Sequence, residues 1–290
     1  MASRNPDRET AILLISCPDA IGIDAAVTNF LSRNGGNIVD FDQHVDKEQN
    51  VFFLRVEWEM DGFLLSKEHL PNHIADLAAP FKMEWSLRYS SAVPRMAIFV
   101  SKQPHCLYDL LARVQSGEWR VEVPLIISNH KDLEPLARRA NIPFHHVSMF
   151  RENKAEPERR QIELLRENRV DFVVLARYMQ IVTPMLINEF PNRIINIHHS
   201  FLPAFPGAKP YHSAYARGVK IIGATSHYVT ADLDAGPIIE QDVIRVSHKD
   251  SVDDLVRKGR DLEKIVLSRA VWRHLQSKTL VYNNKTVVFE

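Results

Sequence analysis

The sequence predicts an α/β protein in two parts: a small βαββαβ module over residues 1–89, then a larger, mostly parallel sheet with helices on both faces over residues 95–290. Three observations predict it. Short β-branched and aromatic runs alternate with stretches of helical period along the chain. Ser90-Ser91-Ala92-Val93-Pro94 is a small-residue and proline link of the kind that joins domains. A length of 290 residues suits one large or two ordinary domains with sizeable cores.

In the first part, residues 10–16 are an apolar run that reads as a strand, and Cys17-Pro18-Asp19-Ala20-Ile21-Gly22 as a turn. Apolar residues at Ile23, Val27, Phe30 and Leu31 have helical spacing, and Asn34-Gly35-Gly36 stops that helix with a left-handed cap. Residues 37–45 and 51–60 read as strands joined through a polar stretch, 67–79 as a helix and 83–89 as a last strand. That order is the ferredoxin-like plan.

Beyond the link, the pattern predicts strands at 95–101, 123–128, 144–147 and 171–175, separated by helices at 106–116, 132–140 and 156–168. Asp132 is the expected N-cap of the second helix, and the many charges of the third read as a solvated face. Thr183-Pro184 reads as another helix start, threonine at the N-cap and proline at N1. Such alternation points to a Rossmann-like sheet covered by helices, with ligands bound outside the carboxyl ends of its strands. Ile194-Ile195-Asn196-Ile197 reads as a strand, 221–229 as another, and 230–237 as a loop. Residues 251–276 form a long helix with an apolar face at Leu255, Leu262, Ile265 and Val266, and Asp253 and Asp254 in its first turn suit the helix dipole. Residues 279–282 and 286–289 read as a terminal hairpin.

Lys+Arg and Asp+Glu balance at 36 each, which gives no broad basic field for nucleic acid. Cys17 and Cys106 are the only cysteines, too few for a disulfide framework or a cysteine-rich zinc site. The opening MASRNPDRET has no apolar signal core, and no run of ~18 apolar residues spans a membrane, so a cytoplasmic protein is expected. His198, His199, His212 and His227 match no common zinc spacing, so neither metal nor cofactor is expected.

Asn196, His198 and Asp234 sit at strand ends and in loops, where a rigid sheet can aim them. Singly, each has an ordinary explanation as a turn former or a solvated side chain. Together they form a pattern. Asn196-x-His198 with Ser200-Phe201-Leu202-Pro203 and Pro206-Gly207, then His227 through Leu233-Asp234-x-Gly236-Pro237, resembles the folate-dependent formyltransferase family over roughly 94–290. The variant His-His-Ser-Phe-Leu-Pro-Ala-Phe, followed by Gly-Ala-Lys-Pro-Tyr-His, is most similar to the hydrolytic branch of that family. The resemblance implies hydrolysis of 10-formyltetrahydrofolate to formate and tetrahydrofolate, supplying formate for purine synthesis and balancing one-carbon folate pools. It implies that Asn196 donates to an oxyanion, that His198 carries a proton to the leaving nitrogen, and that Asp234 takes the proton of water, directly or through His198. His227 is expected to orient Asp234 or a water. The stretch with Met179, Gln180, Ile181 and Val182 corresponds to the lining of the pterin pocket, one or two of its apolar side chains being ordinary core on the other reading, and Thr230 and Gly236 complete the substrate-binding set. His199 stands where formyltransferases often have proline, and Glu263 where some members place an acceptor-binding carboxylate; the sequence assigns neither a role. Ser101-Lys102-Gln103-Pro104-His105 lacks the glycines with which a glycinamide ribonucleotide formyltransferase cradles phosphate, and Pro104 removes an amide donor. Water is therefore the expected acceptor, with transfer to an amine, or a regulator without turnover, as the alternatives. The additional tRNA-contacting domain of methionyl-tRNA formyltransferase has no counterpart, so no tRNA partner is expected.

Cys17-Pro18-Asp19-x-x-Gly22-Ile23 with Gly36-Asn37-Ile38 resembles an ACT domain over about 11–88. That resemblance implies an amino-acid effector bound at Asp19, Gly22, Ile23, Asn37 and Ile38 through backbone groups, with Gly22 allowing close approach. It also implies edge-to-edge pairing, hence a homo-oligomer; a module that serves oligomerisation alone is the other possibility.

Overall fold

A computed structural model describes residues 8–149, 154–203 and 210–290; the Pro206-Gly207 turn lies outside them. The chain divides into two compact units, residues 1–93 with 277–282 and 287–290, and residues 94–276 with 283–286.

The first unit runs β1 (Thr10–Pro18), α1 (Ile23–Arg33), β2 (Ile38–Asp46), β3 (Val51–Glu59), α2 (Leu70–Ala78) and β4 (Glu84–Tyr89). Its sheet has the order β2-β3-β1-β4 with every neighbouring pair antiparallel. Apolar stripes on the helices, Ile23, Val27 and Leu31 with Leu70, Ile74 and Ala78, bury against Leu13, Ile15, Leu54, Val56 and Trp58 of the central strands. Arg55 is 2% exposed, and Asp40 and Glu57 neutralise it, since a buried guanidinium needs paired charge.

The last residues correct one expected boundary. Residues 277–282 and 287–290 group with the first unit, not with the domain proposed over 95–290. The cause is apolar packing: Leu280, Tyr282 and Val287 of the terminal hairpin, with Phe289 just after it, close over Leu14, Val51 and Phe53.

The second unit holds β5 (Met96–Val100), α3 (His105–Gln115), β6 (Ile126–Ser128), α4 (Glu134–Arg139), β7 (Phe144–His146), α5 (Ala155–Glu167), β8 (Phe172–Ala176), α6 (Pro184–Glu189), β9 (Ile194–His198), α7 (Pro210–Arg217), β10 (Ile221–Tyr228), β11 (Ile238–Arg245) and α8 (Val252–Leu275). The hairpin strands are β12 (Thr279–Tyr282) and β13 (Lys285–Val288). The seven strands of the second unit lie in the order β11-β10-β9-β8-β5-β6-β7. Pairs from β7 to β9 are parallel, whereas β9/β10 and β10/β11 are antiparallel. The buried parallel strands read as unbroken apolar runs because both faces are covered. Val173 and Leu175 pack with Ile162, Leu164 and Leu165 of α5, while Phe172, on the opposite face, meets the tilted ring of His274 of α8, with centroids 4.7 Å apart.

Three local expectations are revised. Asp132 does not cap α4: burial of Leu133 makes that residue the N-cap, and Asp132 faces solvent. The charged α5 is not wholly a solvated face, because Glu158 is fully buried and accepts from Thr183 N at 2.6 Å and from the Thr183 hydroxyl. The helix α7 and the strand β11 have no counterpart among the sequence-derived elements. Thr183 does cap α6 with proline behind it, and Ser251 with Asp254 forms a capping box on α8. Among the described residues no helix is long and apolar enough to cross a membrane.

Replacing Ser251 by alanine removes the cap of the 24-residue α8. The expected loss is about 1 kcal/mol of stability, read as a lower urea midpoint with an unchanged slope and restored by Ser251→Asp.

Candidate active site

The antiparallel register of β9 on β10 sets His227 opposite Asn196 and Thr225 opposite His198. Directly opposed residues share a face with Cβ atoms ~5 Å apart, so these four side chains project together. Asn196 Nδ2 lies 3.2 Å from His227 Nε2. His227 Nδ1 donates to the Tyr228 carbonyl at 2.9 Å, which leaves Nε2 as the acceptor for the Asn196 amide. The pairing of β10 with β11 shifts register between Ser226 and His227, an irregularity of the kind that re-aims side chains beside active sites.

Asp234 comes from the loop after β10. His198 Nδ1 is 3.2 Å and His227 Nε2 3.8 Å from its Oδ1. The His198 hydrogen bond first, and then the nearby His227 imidazole, hold the Asp234 carboxyl far below the usual carboxylate range. The residue sits at φ 54°, a left-handed conformation that aspartate tolerates better than most residues. Gly236 is required two positions later: a Cβ there would stand 1.8 Å from the Tyr228 carbonyl oxygen. Thr230 donates to the Asp232 carbonyl at 3.2 Å and closes the same loop. Asn196, His198, His227 and Asp234 are thus brought together. His198 Nε2 is buried without a hydrogen-bond partner among the described residues, a nitrogen free for a ligand.

The 177–183 stretch is pinned at both ends. Ser101 Oγ accepts from Met179 N at 3.0 Å and donates to Asn129 at 2.6 Å, and Glu158 holds Thr183. Met179 and Ile181 are 51% and 54% exposed and Gln180 is half-buried, free to meet a ligand. Val182 is corrected: its side chain belongs to the apolar core with Tyr178 and Leu186, so only its backbone faces such a role. In the first unit Asp19, Gly22 and Asn37 are exposed, but Ile23 is core and Ile38 packs against that core, so again only their backbone can reach an effector. Asn37 also donates to Glu59 at 2.9 Å.

Two groups of residues had no role assigned from the sequence. Thr225 Oγ1 accepts from Leu202 N at 3.0 Å and donates to the Ser200 carbonyl at 2.9 Å, while Gln241 donates to Thr225 Oγ1 and to the Leu202 carbonyl. This lattice holds the chain just after His198, and its signal is polar residues inside apolar strands. The second is a buried carboxylate. Glu263, 1% exposed, accepts from Tyr211 Oη and meets His105 Nε2, both at 2.7 Å, with Arg177 Nε at 3.4 Å. His105, Cys106 and Glu263 bring donor atoms within 4.8 Å of one another, but Glu263 is already paired with Arg177 and hydrogen-bonded to His105. Burial pushes the Glu263 carboxyl up, but the His105 hydrogen bond, then the Arg177 charge and the Tyr211 hydrogen bond, outweigh it and hold it below its ordinary value. Gly259 sits inside α8 at a cost of about 1 kcal/mol relative to alanine, and a Cβ there would lie 2.1 Å from the Tyr211 hydroxyl.

The polar set can polarise a carbonyl with Asn196, shuttle a proton with His198 and accept one at Asp234, which is the equipment of acyl transfer to a small nucleophile. A family model described as formyl transferase matches residues 94–271. Formyltetrahydrofolate deformylase of Synechocystis sp. is 56% identical over 280 residues, covering 97% of this chain and 98% of the relative. The Bacillus subtilis formyltetrahydrofolate deformylase is 50% identical over 287 residues, covering 99% and 96%. A crystal structure of a formyltetrahydrofolate deformylase from Pseudomonas syringae superimposes with a TM-score of 0.95 at 46% identity, covering 98% of this chain and 95% of that one. Both the matched model and these near full-length relatives place the chain in the formyl transferase family, on its formyltetrahydrofolate deformylase branch.

Proposed function

We propose that the protein hydrolyses 10-formyltetrahydrofolate to formate and tetrahydrofolate, with Asn196, His198 and Asp234 as the catalytic set. The observation that carries this is the cluster itself, in which one aspartate contacts two histidines and one of those histidines contacts the asparagine. Water attacks the formyl carbon and Asn196 donates an N–H to the oxygen that becomes negative. Asp234 takes the proton of water, and His198 delivers one from Nε2 to the departing N10 nitrogen. The His198 hydrogen bond, and then His227, keep that carboxylate anionic and so able to accept a proton. Water as acceptor is favoured by the loop after β5, where Ser101 and His105 are bonded internally to Asn129 and Glu263.

The first unit binds an amino acid at the turn of Asp19 and Gly22, where the backbone is exposed and Gly22 has φ 95°. It pairs with a second copy of itself, which sedimentation tests. A panel of amino acids is expected to contain at least one that changes the rate or the melting temperature; a panel that changes neither makes the unit structural.

Single-turnover assay of Asp234→Asn with 10-formyltetrahydrofolate is expected to show formate release lowered by ~10²–10⁴, and near wild-type release removes Asp234 as the base. Asn196→Ala is expected to lower kcat by ~10²–10³. The aspartate also couples stability to pH. A carboxyl more acidic folded than unfolded stabilises the fold above its unfolded pKa, and loses that contribution as pH falls through the folded one. The stability difference between wild type and Asp234→Asn is therefore expected to be flat from pH 8 to ~5 and to shrink below the unfolded value of ~3.9, measured by urea titration.

A further inference from the structure

We propose that His199 holds the attacking water, accepting a hydrogen bond from it at a ring nitrogen, and that the cluster of Tyr211, Glu263, His105 and Arg177 exists to fix that ring. The proposal rests on the hydrolytic function above.

His199 is 7% exposed and follows His198 directly. Its ring stacks on that of His198, with centroids 5.1 Å apart and planes at 29°. It therefore lies in the same layer as the imidazole that contacts Asp234. On its other side is Tyr211, whose ring centroid is 6.0 Å away. Tyr211 donates its hydroxyl proton to Glu263 at 2.7 Å, so it has none to offer His199, and it serves as a wall. Among the described residues neither ring nitrogen of His199 makes a hydrogen bond. A buried imidazole with no protein partner calls for one from solvent or ligand.

The charge state suits the task. Burial, then the Arg177 cation, hold the His199 imidazole down to about 4, so it is neutral at physiological pH and keeps a lone pair. Both Glu263 and Asp234 act on it in the opposite sense. A water attacking a carbonyl carbon carries two hydrogens. One goes to Asp234 as the C–O bond forms. The other stays on oxygen and needs an acceptor, and without one the water can rotate out of line. A neutral ring held between His198 and Tyr211 is such an acceptor. The C–N10 bond then breaks, its electron pair goes to N10, and His198 protonates that nitrogen.

The buttress is built and not incidental. Glu263 is bonded at both oxygens, and Gly259, one turn earlier in α8, leaves the space that the Tyr211 hydroxyl occupies.

The test uses the full-length enzyme. Formate release by wild type with water as sole acceptor is the control; its failure defeats the hydrolytic function and leaves His199 without a reaction to serve. With the control met, His199→Phe keeps both ring contacts and removes the nitrogens. The expected result is a kcat lower on the order of 10²-fold, with KM and melting temperature unchanged. His199→Asn, which returns an amide oxygen near one nitrogen, recovers part of the loss. Gly259→Ala, which displaces Tyr211, gives a smaller drop in kcat with KM retained. A wild-type kcat in His199→Phe overturns the proposal. So does a loss of kcat that tracks melting temperature across the three variants with no recovery in His199→Asn, because that pattern marks packing alone.

Discussion

The antiparallel pairing of β9 with β10 is the constraint on which the site rests. Because side chains alternate with a period of two, one register sets Asn196 and His198 on the same face as their opposites, His227 and Thr225. A slip of β10 by one residue would turn His227 and Thr225 to the other face, away from Asn196 and His198. The neighbouring β8 pairs parallel to β9, so the carboxyl end of β9 opens where ligands enter such sheets. The switch from parallel to antiparallel neighbours at β9 is therefore what lets residues from two strands meet at that end.

The pairing alone does not supply the acid. Asp234 reaches back from the loop after β10, and the loop turns sharply enough only because Asp234 adopts φ 54° and Gly236 has no Cβ to strike the Tyr228 carbonyl. Below it, Thr225 and Gln241 bind the backbone of Ser200 and Leu202, so the segment leaving His198 is held by side chains of β10 and β11. The imidazole thus has a fixed strand before it and a hydrogen-bonded segment after it. Such support is what holds a proton-transfer group within the narrow tolerance that the chemistry sets.

The alternation of elements and the Asn196, His198 and Asp234 set were legible because their signals are local: a period of two or 3.6, and short motifs that stay contiguous. What was not legible depends on long-range packing. Val182 and Ile181 are adjacent and equally apolar, yet one is core and the other exposed, which only the placement of Tyr178 and Leu186 decides. Glu158 stood among many solvated charges of α5, and nothing in its spacing marks it as the partner of Thr183. The Glu263 cluster draws on His105, Arg177, Tyr211 and α8, four separate parts of the chain. The terminal strands escaped because a hairpin motif does not say which core its apolar face will cover.

Two carboxylates act on His199, and the chain pairs them by different means. Asp234 is met by the imidazoles of His198 and His227, each able to pass a proton on. Glu263 is met by the guanidinium of Arg177 and by Tyr211, whose hydroxyl burial pushes far above its ordinary range. That arrangement gives a steady field on one side and an exchangeable proton on the other. Were the partners exchanged, the aspartate would be paired with a guanidinium, which has donors but no acceptor and relays no proton. The separation of the two kinds of partner is thus itself a condition for base catalysis at Asp234.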